Sequence, residues 1–315
     1  MHVVSTSALP IDLEQQIAAA LPGTTVSVPR EGHVGLAGVD LRTADALVCS
    51  LLDRIDDAVL AGAPQLRIVA NCAVGVDNID LAAAARRTIA VSNTPDVLTE
   101  STAELPFTLM LAVARRLGEG ERMIRSGTWP GWALDQLLGV ELHGKTLGIL
   151  GFGRIGQATA RRGLAFGMTV TYYNPSEVTG SSARRVELDE LFATADVVSL
   201  HCPLTPGTRN VVDARRLALM KPTAILVNTA RGDCVDEAAL IAALTAGALF
   251  GAGLDVYVGE PKIRRDLLSC PRLVLAPHIG SATTETRIAM AQLCADAVIA
   301  VLSGRRPSNL VTRTA

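Results

Sequence analysis

The chain lacks any surplus of positive charge. Lys and Arg number 29 against 31 Asp and Glu, a net charge of -2, which offers nucleic acid no basic surface. It also lacks a long apolar run: the longest in a helical pattern, Leu105 to Val113, is halted by Arg115 and Arg116. That is well short of the ~20 residues that span a bilayer, so no membrane role is expected. The six cysteines (Cys49, Cys72, Cys202, Cys234, Cys270 and Cys294) are scattered, form no C-x-x-C pair and have no signal peptide ahead of them. They read as reduced thiols of a cytoplasmic protein, and no metal site is expected. Internal repeats and low-complexity segments are missing as well. What is present is a 49% apolar chain of 315 residues, long enough for two domains with a core each.

Short β-rich runs alternate with helical ones from the start: Val3 to Ser5, Leu13 to Leu21, Thr25 to Val28, Ala46 to Cys49, Asp56 to Ala61, Leu66 to Ala70, Leu81 to Arg87 and Ile89 to Ser92. Such alternation predicts a parallel sheet covered by helices, here without a phosphate loop of its own. A turn at Asn93-Thr94-Pro95-Asp96 then leads into a helix over Leu98 to Ala114, and Arg125 to Gly131 reads as a loop carrying Trp129. A second alternation has strands at Met168 to Tyr173, Val197 to Leu200, Ala224 to Asn228, Ala252 to Asp255 and Leu273 to Ala276. The last helix, Thr284 to Leu302, carries Ile288, Ala291, Ala295, Val298 and Leu302 on one stripe and is expected to return to the first domain.

The second alternation opens on Lys145 to Gly156, KTLGILGFGRIG. A strand at Thr146 to Leu150 runs into Gly151-Phe152-Gly153-Arg154-Ile155-Gly156 and then into a helix, the strand-to-helix setting of a dinucleotide loop. Gly151 suits the tight turn, Gly153 lets a pyrophosphate approach the backbone, and Gly156 lets the helix pack on the strand. The phosphates then face a helix N-terminus, where free N–H groups and the dipole favour negative charge.

Three polar stretches follow strand ends downstream: Asn228 to Gly232, Asp255 to Pro261, and Ala276 to Ser281. Reduction of a carbonyl needs a proton donor at the oxygen, a positive group to polarise it and hold a carboxylate, and an acid to orient the donor. His278, Arg231 and Glu260 match those roles. Singly, each is better read as structural, Arg231 in a solvated loop, Glu260 as a turn residue before Pro261 and His278 as a hydrogen-bonded histidine at a strand end; together, at one sheet edge beside a nucleotide loop, they favour chemistry. His201, which also follows a strand, is the rival histidine, whereas His2, His33 and His143 read as structural or exposed.

The chain resembles the D-2-hydroxyacid dehydrogenases over nearly everything from Leu66 onward. The matching segments are NCAVGVDNIDL at Asn71 to Leu81, NTPDVLTESTAEL at Asn93 to Leu105, RSGTW at Arg125 to Trp129, GKTLGILGFGRIGQA at Gly144 to Ala158, HCPLT at His201 to Thr205, LMKPTAILVNTARGDCVDE at Leu219 to Glu237, GAGLDVYVGEP at Gly251 to Pro261 and APHIGSAT at Ala276 to Thr283. Within that family it is most similar to glyoxylate and hydroxypyruvate reductases. The resemblance implies an α/β protein of two Rossmann-like or flavodoxin-like domains, doubly wound parallel sheets with a cleft between them. Residues 1–98 plus 285–315 would form the substrate domain and 99–284 the dinucleotide domain. It also implies a homodimer and an NAD(P)H-dependent reduction of small 2-oxo acids to 2-hydroxy acids.

On that resemblance Arg231 binds the substrate's carboxylate and carbonyl, His278 donates the proton, and Glu260 keeps His278 protonated and oriented. Val74 and Gly75 offer backbone N–H groups to the substrate carboxylate. Asp255 matches the position that contacts the nicotinamide carboxamide and Thr102 one facing the cofactor. Pro203, Thr229, Ala230 and Gly280 complete the expected cofactor contacts, with Asn174, Pro175 and Ser176 at the adenosine ribose.

The chain departs from the family pattern twice. Asn174 stands where an acidic residue, about 20 positions past the loop, selects NAD by binding the ribose hydroxyls. Asparagine does not repel a 2′-phosphate. The Arg that usually follows in NADP-preferring relatives is Pro175 here, although Arg184 and Arg185 are close in sequence. Both NAD and NADP are therefore candidates, with NADP accepted. Second, the segments between Pro261 and His278 and around Trp132, which border the substrate cleft in relatives, are short and leave substrate size open. Two alternatives stand beside the reductase. One is another family member, a phosphoglycerate or phosphite dehydrogenase, although Ala73 to Gly75 offers no lysine for an inorganic oxyanion. The other is a non-catalytic dinucleotide-sensing protein, which fold alone does not exclude.

Overall fold

The structure, a computed structural model, describes residues 1–311; the expected domain tail 312–315 lies outside them. The chain divides into two compact units, Met1–Leu98 with the chain from Ser281 onward, and Thr99–Gly280.

In the first unit, strands β1 (His2–Ser5), β2 (Thr25–Ser27), β3 (Ala46–Cys49), β4 (Ile68–Asn71) and β5 (Ala90–Ser92) form one parallel sheet in the order β2-β1-β3-β4-β5. This is the flavodoxin-like order. Helices α1 (Leu13–Ala20), α2 (Asp57–Ala61) and α3 (Leu81–Arg86) each start at an aspartate, Asp12, Asp56 or Asp80, whose carboxylate accepts a first-turn N–H. The central strands β3 and β4 are buried along their whole length, which is why they read as apolar runs rather than alternating ones.

The second unit begins with α4 (Thr99–Ala114) and α5 (Leu117–Arg125). It continues through β6 (Thr146–Leu150), α6 (Arg154–Ala165), β7 (Thr169–Tyr173), β8 (Arg184–Arg185), α7 (Leu188–Thr194), β9 (Val197–Leu200), α8 (Ala214–Leu219), β10 (Ile225–Asn228), α9 (Glu237–Thr245), β11 (Gly251–Leu254), α10 (Arg265–Leu268) and β12 (Leu273–Leu275). Its seven strands are parallel in the order β12-β11-β10-β9-β6-β7-β8. The chain leaves β6 toward β8 on one side and resumes at β9 on the other. The switch point of this doubly wound sheet thus lies between β6 and β9, where ligands bind beyond the carboxyl ends. Phe192, Leu191 and Leu200 fill one face of the sheet and Met110, Ile149 and Tyr172 the other.

The last helix, α11 (Thr284–Leu302), packs in the first unit against α1 and β4. Of its expected apolar stripe, Ala291, Ala295, Val298 and Leu302 are buried, but Ile288 is exposed. The second crossing between units falls at Gly280, ahead of the expected 284. The intervening residues serve α11: the Thr283 hydroxyl caps it by accepting the Thr286 N–H. Among the described residues no helix is long and apolar enough to cross a membrane.

Candidate active site

The glycine loop sits at the switch point and its geometry fits a dinucleotide. Gly151 lies at φ +91°, and a side chain there would run into the backbone of His201 and Cys202 at the end of β9. A side chain at Gly156 would strike the Gly151 carbonyl, so the helix can approach the strand only as glycine allows. Gly153 is different: nothing lies within 4 Å of where its Cβ would be, which leaves open space beside the backbone. Helix α6 starts on Gly153 with no side-chain cap, unlike its Asp-capped counterparts, so its first N–H groups remain for an anion. Phe152, buried, stacks on Tyr172 with ring centroids 4.0 Å apart, while Arg154 is exposed and Ile155 half-buried.

The three reactive stretches follow β10, β11 and β12 at the same edge of this sheet. After β10, the Asn228 side chain shapes the turn: its Oδ1 accepts the Ala230 N–H at 3.0 Å and its Nδ2 donates to the Arg231 carbonyl at 2.8 Å. Thr229 carries a buried hydroxyl with no partner among the described residues, an orphan that a ligand polar group would satisfy. After β11, Glu260 is mostly buried. Its Oε1 accepts the Tyr257 N–H at 2.8 Å and its Oε2 lies 2.7 Å from His278 Nδ1. Burial works to raise the Glu260 carboxyl, but the hydrogen bond and charge of His278, the Tyr257 N–H and the field of Arg231 outweigh it and hold it below its usual value.

His278, after β12, has its backbone in the left-handed region at φ +54°. Asp255 holds that loop: its carbonyl accepts the His278 N–H, Oδ1 the Ile279 N–H at 2.7 Å and Oδ2 the Gly280 N–H at 2.9 Å. Burial keeps the Asp255 carboxyl above its ordinary value despite those bonds. Gly280 packs so closely on Asp255 and Thr102 that a Cβ there would come within 3.3 and 3.4 Å of them. Thr102, Asp255 and Gly280, named separately from sequence, are therefore one contact group.

The rival His201 hydrogen-bonds Ser199 through Nε2 at 2.9 Å, and burial pushes it down to about 3. It is neutral at working pH, which removes it as a proton donor. Pro203 lies on the same β9 exit, its carbonyl accepting from the Thr208 hydroxyl. Ala230 is buried in the turn before Arg231. Asn174, Pro175 and Ser176 follow β7; the Asn174 Oδ1 accepts the Phe152 N–H at 3.3 Å and ties this turn to the glycine loop.

Val74 and Gly75 belong to the first unit, in the loop after β4. The Val74 carbonyl accepts from Asn93 Nδ2 and the Gly75 carbonyl from Asn71 Nδ2, both at 2.8 Å. These two bonds fix the loop through its carbonyls. Two residues at the second unit's site were not anticipated. Glu237, buried at the start of α9, accepts the Val258 N–H at 2.8 Å, and the Tyr257 hydroxyl donates to Ala276 at 2.7 Å, bracing the Glu260 loop against the His278 strand. Only the acidic pair Asp236-Glu237 just inside a helix start hinted at the first. Among the described residues no cluster of metal-binding side chains occurs.

Residues 107–280 match the family described as D-isomer specific 2-hydroxyacid dehydrogenase, NAD binding domain. The chain is 48% identical to the glyoxylate reductase of Thermococcus litoralis over 293 residues, 90% of this chain and 88% of that protein. Its structure is similar to that of a Thermus thermophilus protein, with a TM-score of 0.93, 45% identity and coverage of 99% and 100% of the two chains. It is also similar to an NADPH-dependent glyoxylate/hydroxypyruvate reductase of Sinorhizobium meliloti in complex with NADP and malonate, with a TM-score of 0.86, 34% identity and coverage of 99% and 97%.

Proposed function

The chain belongs to the D-isomer specific 2-hydroxyacid dehydrogenase family, and we propose from that premise that it reduces glyoxylate and hydroxypyruvate to the 2-hydroxy acids with NADPH or NADH. The observation that carries this reading is the 2.7 Å contact between Glu260 Oε2 and His278 Nδ1 at the carboxyl edge of the nucleotide-type sheet. With Nδ1 committed to the carboxylate, Nε2 is the nitrogen that presents a proton.

In this reading the Arg231 guanidinium holds the substrate's carboxylate, the group for which the family resemblance also nominates the Val74 and Gly75 N–H groups. Arg231 also polarises the carbonyl, and His278 Nε2 passes its proton to the carbonyl oxygen as that oxygen becomes negative. Glu260 balances the imidazolium before transfer. The reduced nicotinamide supplies the hydride when bound. Gly151 to Gly156 would cradle its pyrophosphate, Asn174, Pro175 and Ser176 would border the adenosine ribose, and Thr102, Pro203, Thr229, Ala230, Asp255 and Gly280 would line its nicotinamide half.

Two further properties belong to the same proposal. Exposed apolar side chains concentrate between Leu117 and Leu138, with Trp132 and Leu134 about four-fifths exposed, and such a surface supports a homodimer. All six cysteines are free thiols, which supports the reducing cytoplasm. Cofactor oxidation followed with a panel of 2-oxo acids tests the reading. Turnover is expected with glyoxylate and hydroxypyruvate and should fall by about a thousandfold in His278→Asn with cofactor binding retained; undiminished turnover in that variant would remove the assigned acid.

A further inference from the structure

We propose that Arg185 selects the cofactor, by receiving the 2′-phosphate of NADP from the edge strand β8. The inference rests on the reading that NADPH is accepted. In doubly wound sheets the residue ending the second strand meets the adenosine ribose, and an acid there favours the free hydroxyls while a nearby arginine accommodates a 2′-phosphate. Here Asn174 holds that place, and its amide is occupied. Oδ1 accepts the Phe152 N–H at 3.3 Å, and Nδ2 donates to the Ser176 carbonyl at 3.0 Å. The residue therefore orders the turn without placing a charge at it. The next position, Pro175, brings none either.

The charge comes from the neighbouring strand. Strand β8 pairs with β7 in parallel, Thr171 opposite Arg184 and Tyr172 opposite Arg185. Successive residues of a strand point to opposite sides, and the two arginines have different fates. Arg184 pairs with Glu190 at 3.0 Å, so its charge is answered. Arg185 reaches along the strand direction to the ribose turn, where Nε donates to the Asn174 carbonyl at 3.1 Å and Nη2 to the Pro175 carbonyl at 3.2 Å. Those two neutral carbonyls fix the guanidinium beside Asn174, and no carboxylate lies within ion-pair distance of it among the described residues. Its Nη1 edge remains for a ligand. A fixed, uncompensated guanidinium is suited to a phosphate dianion and gains little from a ribose hydroxyl.

The test uses the full-length protein and two fragments that differ only by the phosphate in question, 2′,5′-ADP and 5′-AMP, with binding measured by calorimetry. Wild type is expected to bind 2′,5′-ADP more tightly than 5′-AMP. Arg185→Ala should weaken 2′,5′-ADP by about tenfold or more and leave 5′-AMP within about twofold, and Arg185→Lys should recover part of the loss. The ratio of kcat/KM for NADPH over NADH should fall in step, the loss appearing in KM for NADPH. Because Arg185 is exposed, its loss should leave the melting temperature in place.

Failures separate cleanly. If wild type prefers 2′,5′-ADP and uses NADPH while Arg185→Ala keeps both properties, the Arg185 assignment is overturned and NADPH use stands. If wild type binds the two fragments alike and does not oxidise NADPH, the NADPH reading falls and the assignment falls with it. Arg185-dependent binding of 2′,5′-ADP by a protein that reduces no 2-oxo acid would uphold the assignment and overturn the substrate reading instead.

Discussion

Asp255 holds the backbone of His278 from two directions. Its carbonyl accepts the His278 N–H at 2.9 Å, and its carboxylate accepts the next two N–H groups, those of Ile279 and Gly280. A residue with a Cβ occupies the left-handed region, here φ +54°, only when its surroundings enforce it. In Asp255→Asn an amide NH₂ must face one of those N–H groups, so one grip is lost and a buried donor is stranded. The expected result is a fall in kcat of about 10- to 100-fold with fragment binding of 5′-AMP unchanged; a wild-type kcat would show that His278 holds its place without this clamp.

The pH response of Glu260 follows from the sign of its shift. Its folded-state value lies below the ordinary one, so folding favours the carboxylate. The stabilisation is fully present above the unfolded value of about 4.3 and is lost as pH falls through the lowered one. Glu260→Gln should therefore flatten the drop in melting temperature on the acid side of pH 4 or so. The neutral amide also replaces the charge-assisted bond to His278 Nδ1 with a weaker one, so kcat/KM should fall by about tenfold or more. A pH–rate profile of the variant superimposable on wild type would mean that Glu260 only fills space.

Much of the site was legible in sequence because its parts are local. The glycine loop is one contiguous signal flanked by a strand and a helix, and Arg231, Glu260 and His278 each follow a strand whose apolar run is easy to see. What escaped is carried by long-range contacts or weak elements. Strand β8 has only Arg184 and Arg185, too short to show any period, and it exists by pairing with β7. Helix α5 includes Gly118 and Gly120, poor helix formers that mask it. Glu237 reaches Val258 across 21 residues, a relation with no trace in spacing. Ile288 sits at one end of the α11 stripe and is exposed, because the helix buries a face displaced toward Met290, Cys294 and Ala297.

The exposed arm from Leu117 to Leu138 provides a test of assembly. Trp132 and Leu134 are 80% and 83% exposed, unusual for large apolar side chains clustered within one segment. Replacing both, Trp132→Glu with Leu134→Glu, should convert the proposed homodimer to a monomer in sedimentation velocity, since buried unpaired carboxylates are strongly unfavourable at an interface. The melting temperature should then lose its dependence on protein concentration. A wild type that sediments as a monomer would overturn the proposed homodimer, and a double variant that stays dimeric with wild type would place the contact elsewhere.

Gly232 packs the turn that carries Arg231 against the loop that carries Glu260, two parts of the proposed catalytic group. A Cβ on it would fall on the Tyr257 carbonyl and the Val258 nitrogen. Neither atom is free to retreat: the Val258 N–H is held by Glu237 and the Tyr257 N–H by Glu260, both at 2.8 Å. In Gly232→Ala the clash must be relieved by moving either the turn that carries Arg231 or the loop that carries Glu260. Overpacking of this kind costs about 1–3 kcal/mol of stability, which thermal melting would register as a modest drop. The larger effect is expected in turnover, because a displacement of about 1 Å between reacting groups costs on the order of a hundredfold in rate. Steady-state kinetics should show kcat falling by about that factor while the protein remains folded and binds 5′-AMP normally. Should kcat survive with only the melting temperature reduced, the Arg231 turn and the Glu260 loop would be mechanically independent, and their contact through Gly232 would serve packing alone.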